Sequence, residues 1–212
     1  MKLYWGPHTC ALGIQILLEE IGRPYEAEQI DVAGGATRKA PFLRINPKGK
    51  VPTLIRDDGS VLTEFGAIAT WLARTNADKA LIPDDLDSEA RMIEVLDYVE
   101  GTVHGQGFSR IFAPARFAPP GQAQDKNAPA LSAVKQQGKE IVEQGFALLN
   151  EPLGRQPFAA GERFSIADAA LFYVERWAST LHMKLPTNIV VHYERVRSRP
   201  SVIKVLKMWN ES

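Results

Sequence analysis

The spacing of apolar residues changes character once along this chain, and that change most limits the folds open to it. The first third alternates short strand-like and helix-like segments, whereas the sequence beyond about residue 86 has no strand signal and reads as helices. Lys2-Leu3-Tyr4-Trp5 reads as a strand that breaks at Gly6-Pro7. Leu12, Ile14, Leu17, Leu18 and Ile21 then recur at helical spacing and stop at Gly22, with Pro24 just beyond. Tyr25 to Ile30 reads as a second strand, Thr37 to Leu43 as a short helix, and Asn46-Pro47-Lys48-Gly49 as a turn. Val51 to Ile55 and Val61-Leu62-Thr63 flank Asp57-Asp58-Gly59-Ser60, which predicts a hairpin. A third helix is expected from Glu64, burying Ala67, Ile68, Trp71 and Leu72.

This order predicts a small four-stranded mixed α/β sheet with helices on both faces, the thioredoxin-like arrangement, followed by an all-α part. The division expected is a sheet domain over 1–76, a linker over 77–86 and a helical domain over 87–212. In the latter, Met92, Val95, Leu96, Val99 and Val103 mark a first long helix, and the proline-rich stretch from Ala113 to Asp125 a loop. Helical pattern resumes near Ala130. Ser165, three residues ahead of Asp168, predicts a capped start for a core helix carrying Ala169, Leu171, Phe172, Val174 and Trp177.

Lys plus Arg equals Asp plus Glu at 25 each, so no global field draws nucleic acid or an anionic membrane. Without a long apolar run no membrane-spanning helix is expected, nor a secretory signal, and the cytoplasm is the expected address. One cysteine in 212 residues permits no intramolecular disulfide. No histidine and carboxylate spacing suits a metal, and no phosphate-binding glycine motif is present, so neither metal nor nucleotide is expected.

Cys10 stands at the start of the first helix. Unpaired N–H groups and the positive dipole end favour a thiolate there, although a lone cysteine is as often a small buried hydrophobe, and both readings stay open. Pro52, inside a strand-like stretch, belongs at a strand start or edge; a cis Val51-Pro52 bond would turn the Val51 backbone outward to pair with an extended ligand. Glu64 and Phe65 open the third helix, whose first N–H groups suit a carboxylate while Glu64 suits an ammonium; Glu64 could equally serve only the helix dipole. His8 is read as a loop residue that could also steady a thiolate. His104 lies on the first long helix of the second part, in reach of an interdomain cleft or simply structural.

Four segments, in order and spacing, resemble the cytosolic glutathione transferases, the bacterial beta class in particular. They are Met1-Lys2-Leu3-Tyr4 leading to Cys10; Asn46-Pro47-Lys48-Gly49-Lys50-Val51-Pro52-Thr53-Leu54; Leu62-Thr63-Glu64 with Ala67-Ile68; and Gly161 through Ala169, with Arg199-Pro200 as a further match. The resemblance implies a glutathione transferase in which glutathione is co-substrate, a small hydrophobic electrophile is its partner, and the chain forms a homodimer. By the same resemblance Val51 and cis Pro52 pair with the cysteinyl backbone, Glu64 and Phe65 hold the γ-glutamyl group, and Lys39 and His104 are further glutathione contacts. Thr9 and Cys10 stabilise the thiolate, with Cys10 able to form a mixed disulfide. Lowering a thiol pKa of about 8.5 by roughly two units needs about 2.7 kcal/mol of thiolate stabilisation.

Two positions depart from the family pattern. Phe65 replaces a serine hydroxyl, predicted to weaken binding by about 1 kcal/mol. His104 falls one position early relative to Gly107-Phe108, with Gly105 and Gln106 in place of a His-Lys pair. Phe108, Ile111, Phe112 and Phe117 are candidates to line the electrophile pocket or to be ordinary core. The alternatives carried are a glutathione-dependent monothiol reductase using Cys10 and a non-catalytic ligand-binding or regulatory protein of the same fold.

Overall fold

The computed structural model describes residues 1–122 and 129–210. Strand β1 (Lys2–Trp5) is followed by helix α1 (Ala11–Ile21), β2 (Glu26–Gln29), the short α2 (Ala40–Leu43), β3 (Thr53–Ile55), β4 (Val61–Thr63) and α3 (Phe65–Arg74). The sheet runs β2-β1-β3-β4, with β1 parallel to β2 and antiparallel to β3, and β3 antiparallel to β4. Side chains alternate across a strand, so the register that sets Leu3 opposite Leu54 gives both to one face. That face belongs to the core that α1 and α3 share, while Tyr4 on the other meets Phe42 of α2 edge-on at 5.7 Å. Helices therefore cover both faces, as the sequence predicts. The expected inner face of α3 needs correction: Ile68 and Leu72 are buried together with Phe65, Ala69 and Ala73, whereas Ala67 is exposed and Trp71 half-buried beneath the Arg56 guanidinium.

Residues 77–86 contain a 3₁₀ turn, and Leu81 and Ile82 are buried, with the Leu81 carbonyl accepting the Ile166 N–H at 3.1 Å. This stretch is docked on the molecule at its centre, with both its ends exposed. Helix α4 (Leu86–Tyr98) then passes directly into a π-helical stretch, Val99–Phe108, and α5 (Ser109–Phe112). The π segment was not predicted. Its three glycines weaken α-helical preference, and i→i+5 bonding widens each turn by about one residue. Gly107 and Gly138 let it approach the next long helix closely, since a Cβ on Gly138 would stand 2.7 Å from the Gly107 carbonyl oxygen.

Part of the expected loop, Ala123 to Asp125, lies outside the described residues; the preceding part includes a 3₁₀ turn at Pro114–Arg116. The chain continues through α6 (Pro129–Leu153), α7 (Ile166–Thr180), α8 (Thr187–Arg197) and α9 (Pro200–Met208). One connected buried cluster runs from Leu3 of the sheet through α1 and α7 to Trp209.

The start of α7 is fixed as predicted by a capping box between Ser165 and Asp168, whose Oδ2 accepts the Ser165 N–H at 2.7 Å. The same carboxylate also accepts the Ala159 N–H at 2.6 Å and meets Nε2 of the buried His192 at 2.9 Å. Nδ1 of that ring reaches Glu175 at 2.8 Å. Burial by itself lowers the His192 pKa, but the flanking carboxylates outweigh it and bring it up to about 10. Such a raised value contributes stability that is complete below the unfolded histidine value and is lost as pH rises through about 10. Replacing Asp168 with alanine leaves the buried His192 with Glu175 alone and strands two N–H donors, and is expected to cost about 3 kcal/mol or more in urea unfolding. A loss below about 1 kcal/mol would mean that Asp168 does not hold the start of α7 together.

Candidate functional site

A cleft of about 360 Å³ opens between the helical part and the sheet edge where β1 and β4 finish and β3 begins. The first wall comes from the start of α1. Thr9 donates its hydroxyl proton to the Gly6 carbonyl at 2.7 Å, so its single donor hydrogen is already engaged. Cys10 directs Sγ toward the Val51 carbonyl oxygen at 3.9 Å. Of the two readings left open for Cys10, the surroundings favour the small buried hydrophobe over the thiolate. Burial pushes the thiol far up, the nearby Glu100 carboxylate adds to this, and the backbone hydrogen bond and Lys50 only partly oppose them. A helix start cannot favour a thiolate that low-dielectric surroundings and a like charge disfavour more. His8 lines the rim, exposed, at a positive φ of 59°.

The second wall is the loop before β3. Asn46 donates through Nδ2 to the Lys50 carbonyl at 2.8 Å and to Thr53 Oγ1 at 2.9 Å, and its Oδ1 accepts the Lys48 N–H at 3.1 Å. One buried amide thus shapes the loop that presents Val51 and Pro52, and the Val51-Pro52 bond is cis. Next to it Glu64 holds a φ of 71°, a conformation that costs a non-glycine residue of order 1 kcal/mol and is found where a site over-determines the backbone. Its carboxylate is exposed and paired with Lys48 Nζ at 2.7 Å. The first N–H groups of α3, beginning at Phe65, have no partner within the helix by construction and adjoin this carboxylate.

The Phe65 ring turns away from the cleft into the core. It lies 5.4 Å from Tyr173 and touches the face of α1 at Gly13, where a Cβ would stand 2.7 Å from the ring. The aromatic at the departed serine position therefore packs α3 against α1 and α7.

The helical side supplies Glu100 and His104 from the π segment, with Ser109, Phe112, Arg116 and Trp177. His104 Nδ1 stands 3.0 Å from the Tyr173 hydroxyl, and that hydroxyl donates to Glu100. Burial and Lys50 bring the His104 pKa down to about 4, so its imidazole is neutral. Burial brings Glu100 up to about 7 despite the stabilising Tyr173 bond, helped by the Glu64 and Asp97 charges. Of the pocket candidates, Phe112 lines the cleft, while Phe108 is fully buried behind it, stacked on Phe112 and edge-on to Trp177. Ile111 and Phe117 are not among the lining residues, and Phe117 lies under the Arg110 guanidinium.

The structure brings together Thr9, Cys10, Val51, Pro52, Glu64, Phe65 and His104. It leaves Lys39 exposed at the start of α2, off the cleft, and sets Lys50 on the cleft lining, with Lys48 reaching it through the ion pair to Glu64. These two lysines flank Gly49 in the turn motif, which is the signal that could have found them. Glu100, Tyr173 and Trp177 were also missed as site residues; an acid directly after Val99, in an apolar helical pattern, was the visible hint. Among the described residues no group of His, Cys, Asp or Glu is arranged to hold a metal ion. No helix among them is long and apolar enough to cross a membrane.

Residues 9–75 match the glutathione S-transferase N-terminal domain and residues 132–198 the C-terminal domain of the same family. The chain is 32% identical over 206 residues to glutathione S-transferase GstA of Escherichia coli O157:H7, covering 95% of both chains. It is similar in structure to a glutathione transferase homolog from Sulfitobacter with bound glutathione, at a TM-score of 0.87 and 28% identity over 98% of this chain and 97% of that one. The bacterial beta-class glutathione S-transferase of Sphingomonas chungbukensis superposes at a TM-score of 0.84 with 30% identity, over the full length of both chains. A thioredoxin-like sheet unit, an all-helical part and a cleft between them define the class, and the chain belongs to the glutathione S-transferase family.

Ligand-free Cys10 is expected to react with iodoacetamide near pH 8 at least about tenfold more slowly than free glutathione, because the thiolate is the nucleophile. Denaturation should abolish the difference. Native alkylation as fast as that of free glutathione would show a thiolate at Cys10.

Proposed function

We propose that this protein binds reduced glutathione in the cleft and activates its thiol for attack on small hydrophobic electrophiles. The observation that carries the reading is the side-by-side placement of two peptide-recognition devices. One is Val51, on the cleft lining directly before Pro52; the other is Glu64 with the first N–H groups of α3. In this reading Val51 pairs with the cysteinyl backbone and the α3 N-terminus takes the γ-glutamyl carboxylate. Glu64 exchanges Lys48 for the ligand ammonium. The sulfur then lies toward Cys10 and His104, and Phe112 and Trp177 offer an apolar surface to the electrophile.

The thiolate finds support from the α1 N-terminus and from the Lys50 and Arg116 cations at the cleft, not from a protonated histidine, since His104 is neutral. The division expected from sequence fits this scheme: glutathione held by 1–76, electrophile by 87–212, with 77–86 between. A cytoplasmic homodimer with a role in detoxification belongs to the same proposal. The monothiol reductase reading has less support, because a buried neutral Cys10 is a weak nucleophile in the free protein.

Calorimetric titration with reduced glutathione, together with conjugation of an aryl chloride, tests the proposal. Glu64→Gln is expected to weaken glutathione binding by about tenfold or more, as befits loss of a charged hydrogen bond worth about 1.5–3 kcal/mol. Unchanged affinity in this variant would remove Glu64 from the site. No binding to the native folded protein would favour the non-catalytic reading.

A further inference from the structure

Glu100 is a half-buried carboxylate on the wall of the cleft whose hydrogen-bond donor is a neutral phenol rather than a cation. Tyr173 has a single hydroxyl proton and gives it to Glu100, so its oxygen accepts from His104, which assigns the imidazole proton to Nδ1. The Tyr173 and His104 rings meet edge-on at 5.6 Å, and both pack against Trp177, so the arrangement is held rigidly. The charged and titratable groups that face Glu100 are Tyr173 from α7, Cys10 from the start of α1, Glu64 from the start of α3, Asp97 from α4 and His104 from its own segment. Lys50 and Arg116 also line the cleft. A thiolate formed in the same cleft is a like charge to an ionised Glu100, and two such charges in a partly dry site oppose each other strongly.

Resting on the functional reading above, we propose that Glu100 is the proton acceptor for the glutathione thiol. The S–H bond breaks, its electron pair stays on sulfur, and the proton forms the O–H bond of a neutral Glu100 carboxylic acid. One negative charge moves from oxygen to sulfur and none is added to the cleft. A carboxylate brought up to about 7 is ionised in the free protein just above neutral pH and is a good proton acceptor there. Tyr173 and His104 position it. After the conjugate leaves, the carboxylic acid returns its proton to solvent.

The experiment is glutathione titration near pH 8 by calorimetry in buffers of differing ionisation enthalpy, which counts protons released on binding. Ultraviolet absorbance of the bound thiolate is followed in the same titrations as a difference from the ligand-free protein, whose Cys10 is a neutral thiol. Wild type is expected to form thiolate with close to zero net proton release, because the proton moves to Glu100. Glu100→Gln, which keeps an acceptor for Tyr173, is expected to form thiolate with release close to one proton. Tyr173→Phe, which removes a donor that stabilises the charged carboxylate, raises the Glu100 pKa and is expected to give an intermediate release. Thiolate formation with equal proton release in wild type and Glu100→Gln overturns this inference while leaving the functional reading standing. Absence of glutathione binding in the folded wild type overturns both.

Discussion

Helix α1 is buried on nearly every side, and the rest of the molecule is arranged to make that burial favourable. Its apolar residues from Ala11 to Leu18, together with Ile21, are enclosed by the sheet, α3, α7 and α9. A helix with so little solvent face needs its neighbours, because an exposed Leu or Ile there forfeits about 1.5–3 kcal/mol each. The one polar residue among its buried positions, Gln15, is satisfied by Trp209 near the chain's end and Tyr25 near its start: its Oε1 accepts the Trp209 indole N–H at 2.6 Å and its Nε2 donates to Tyr25 at 3.1 Å. At its C-terminal end Glu20 holds Arg199 through two 2.8 Å bonds, which anchors the entry to α9. Sheet and helical part are thus fixed about one element, and the cleft forms where α1 begins.

Chemistry in the cleft follows from that burial. The same enclosure that stabilises α1 raises the Cys10 thiol and the Glu100 carboxyl and lowers the His104 imidazole, so each is shifted toward its neutral form, Glu100 only as far as about 7. A site of this kind stabilises an incoming anion best when it can take up the accompanying proton or lend cationic support. Lys50 and Arg116 offer the second, and Glu100 the first. The Glu64–Lys48 pair, by contrast, is exposed and screened, so it can open to a ligand at little cost.

Much of the architecture was legible in the residues. The strand and helix order, the hairpin, the start of α7 and the turn at Asn46 each rest on local rules of periodicity, capping and turn chemistry that tertiary contacts reinforce. The cis Val51-Pro52 bond could be named as a candidate because proline alone makes that isomer affordable. What stayed hidden depends on long-range surroundings. No local rule says that Cys10 is dry, that the Phe65 ring turns inward onto Gly13, or that Ala67 faces solvent. The π segment follows from packing at Gly107 against Gly138, partners separated by a loop, and it carries His104 to the cleft despite its early position in sequence. Lys39 was placed at the site through resemblance alone, and the fold sets Lys50 there instead, with Lys48 reaching it through Glu64.

The central claim is that one cleft holds the tripeptide with its sulfur between Cys10 and Glu100. A crystal structure of the protein with reduced glutathione tests this directly. Expected is a tripeptide whose cysteinyl backbone hydrogen-bonds Val51, whose γ-glutamyl carboxylate meets the first N–H groups of α3, and whose sulfur touches the Cys10 and Glu100 side chains. A tripeptide bound with its sulfur turned away from Glu100, or an empty cleft at saturating glutathione, would contradict it.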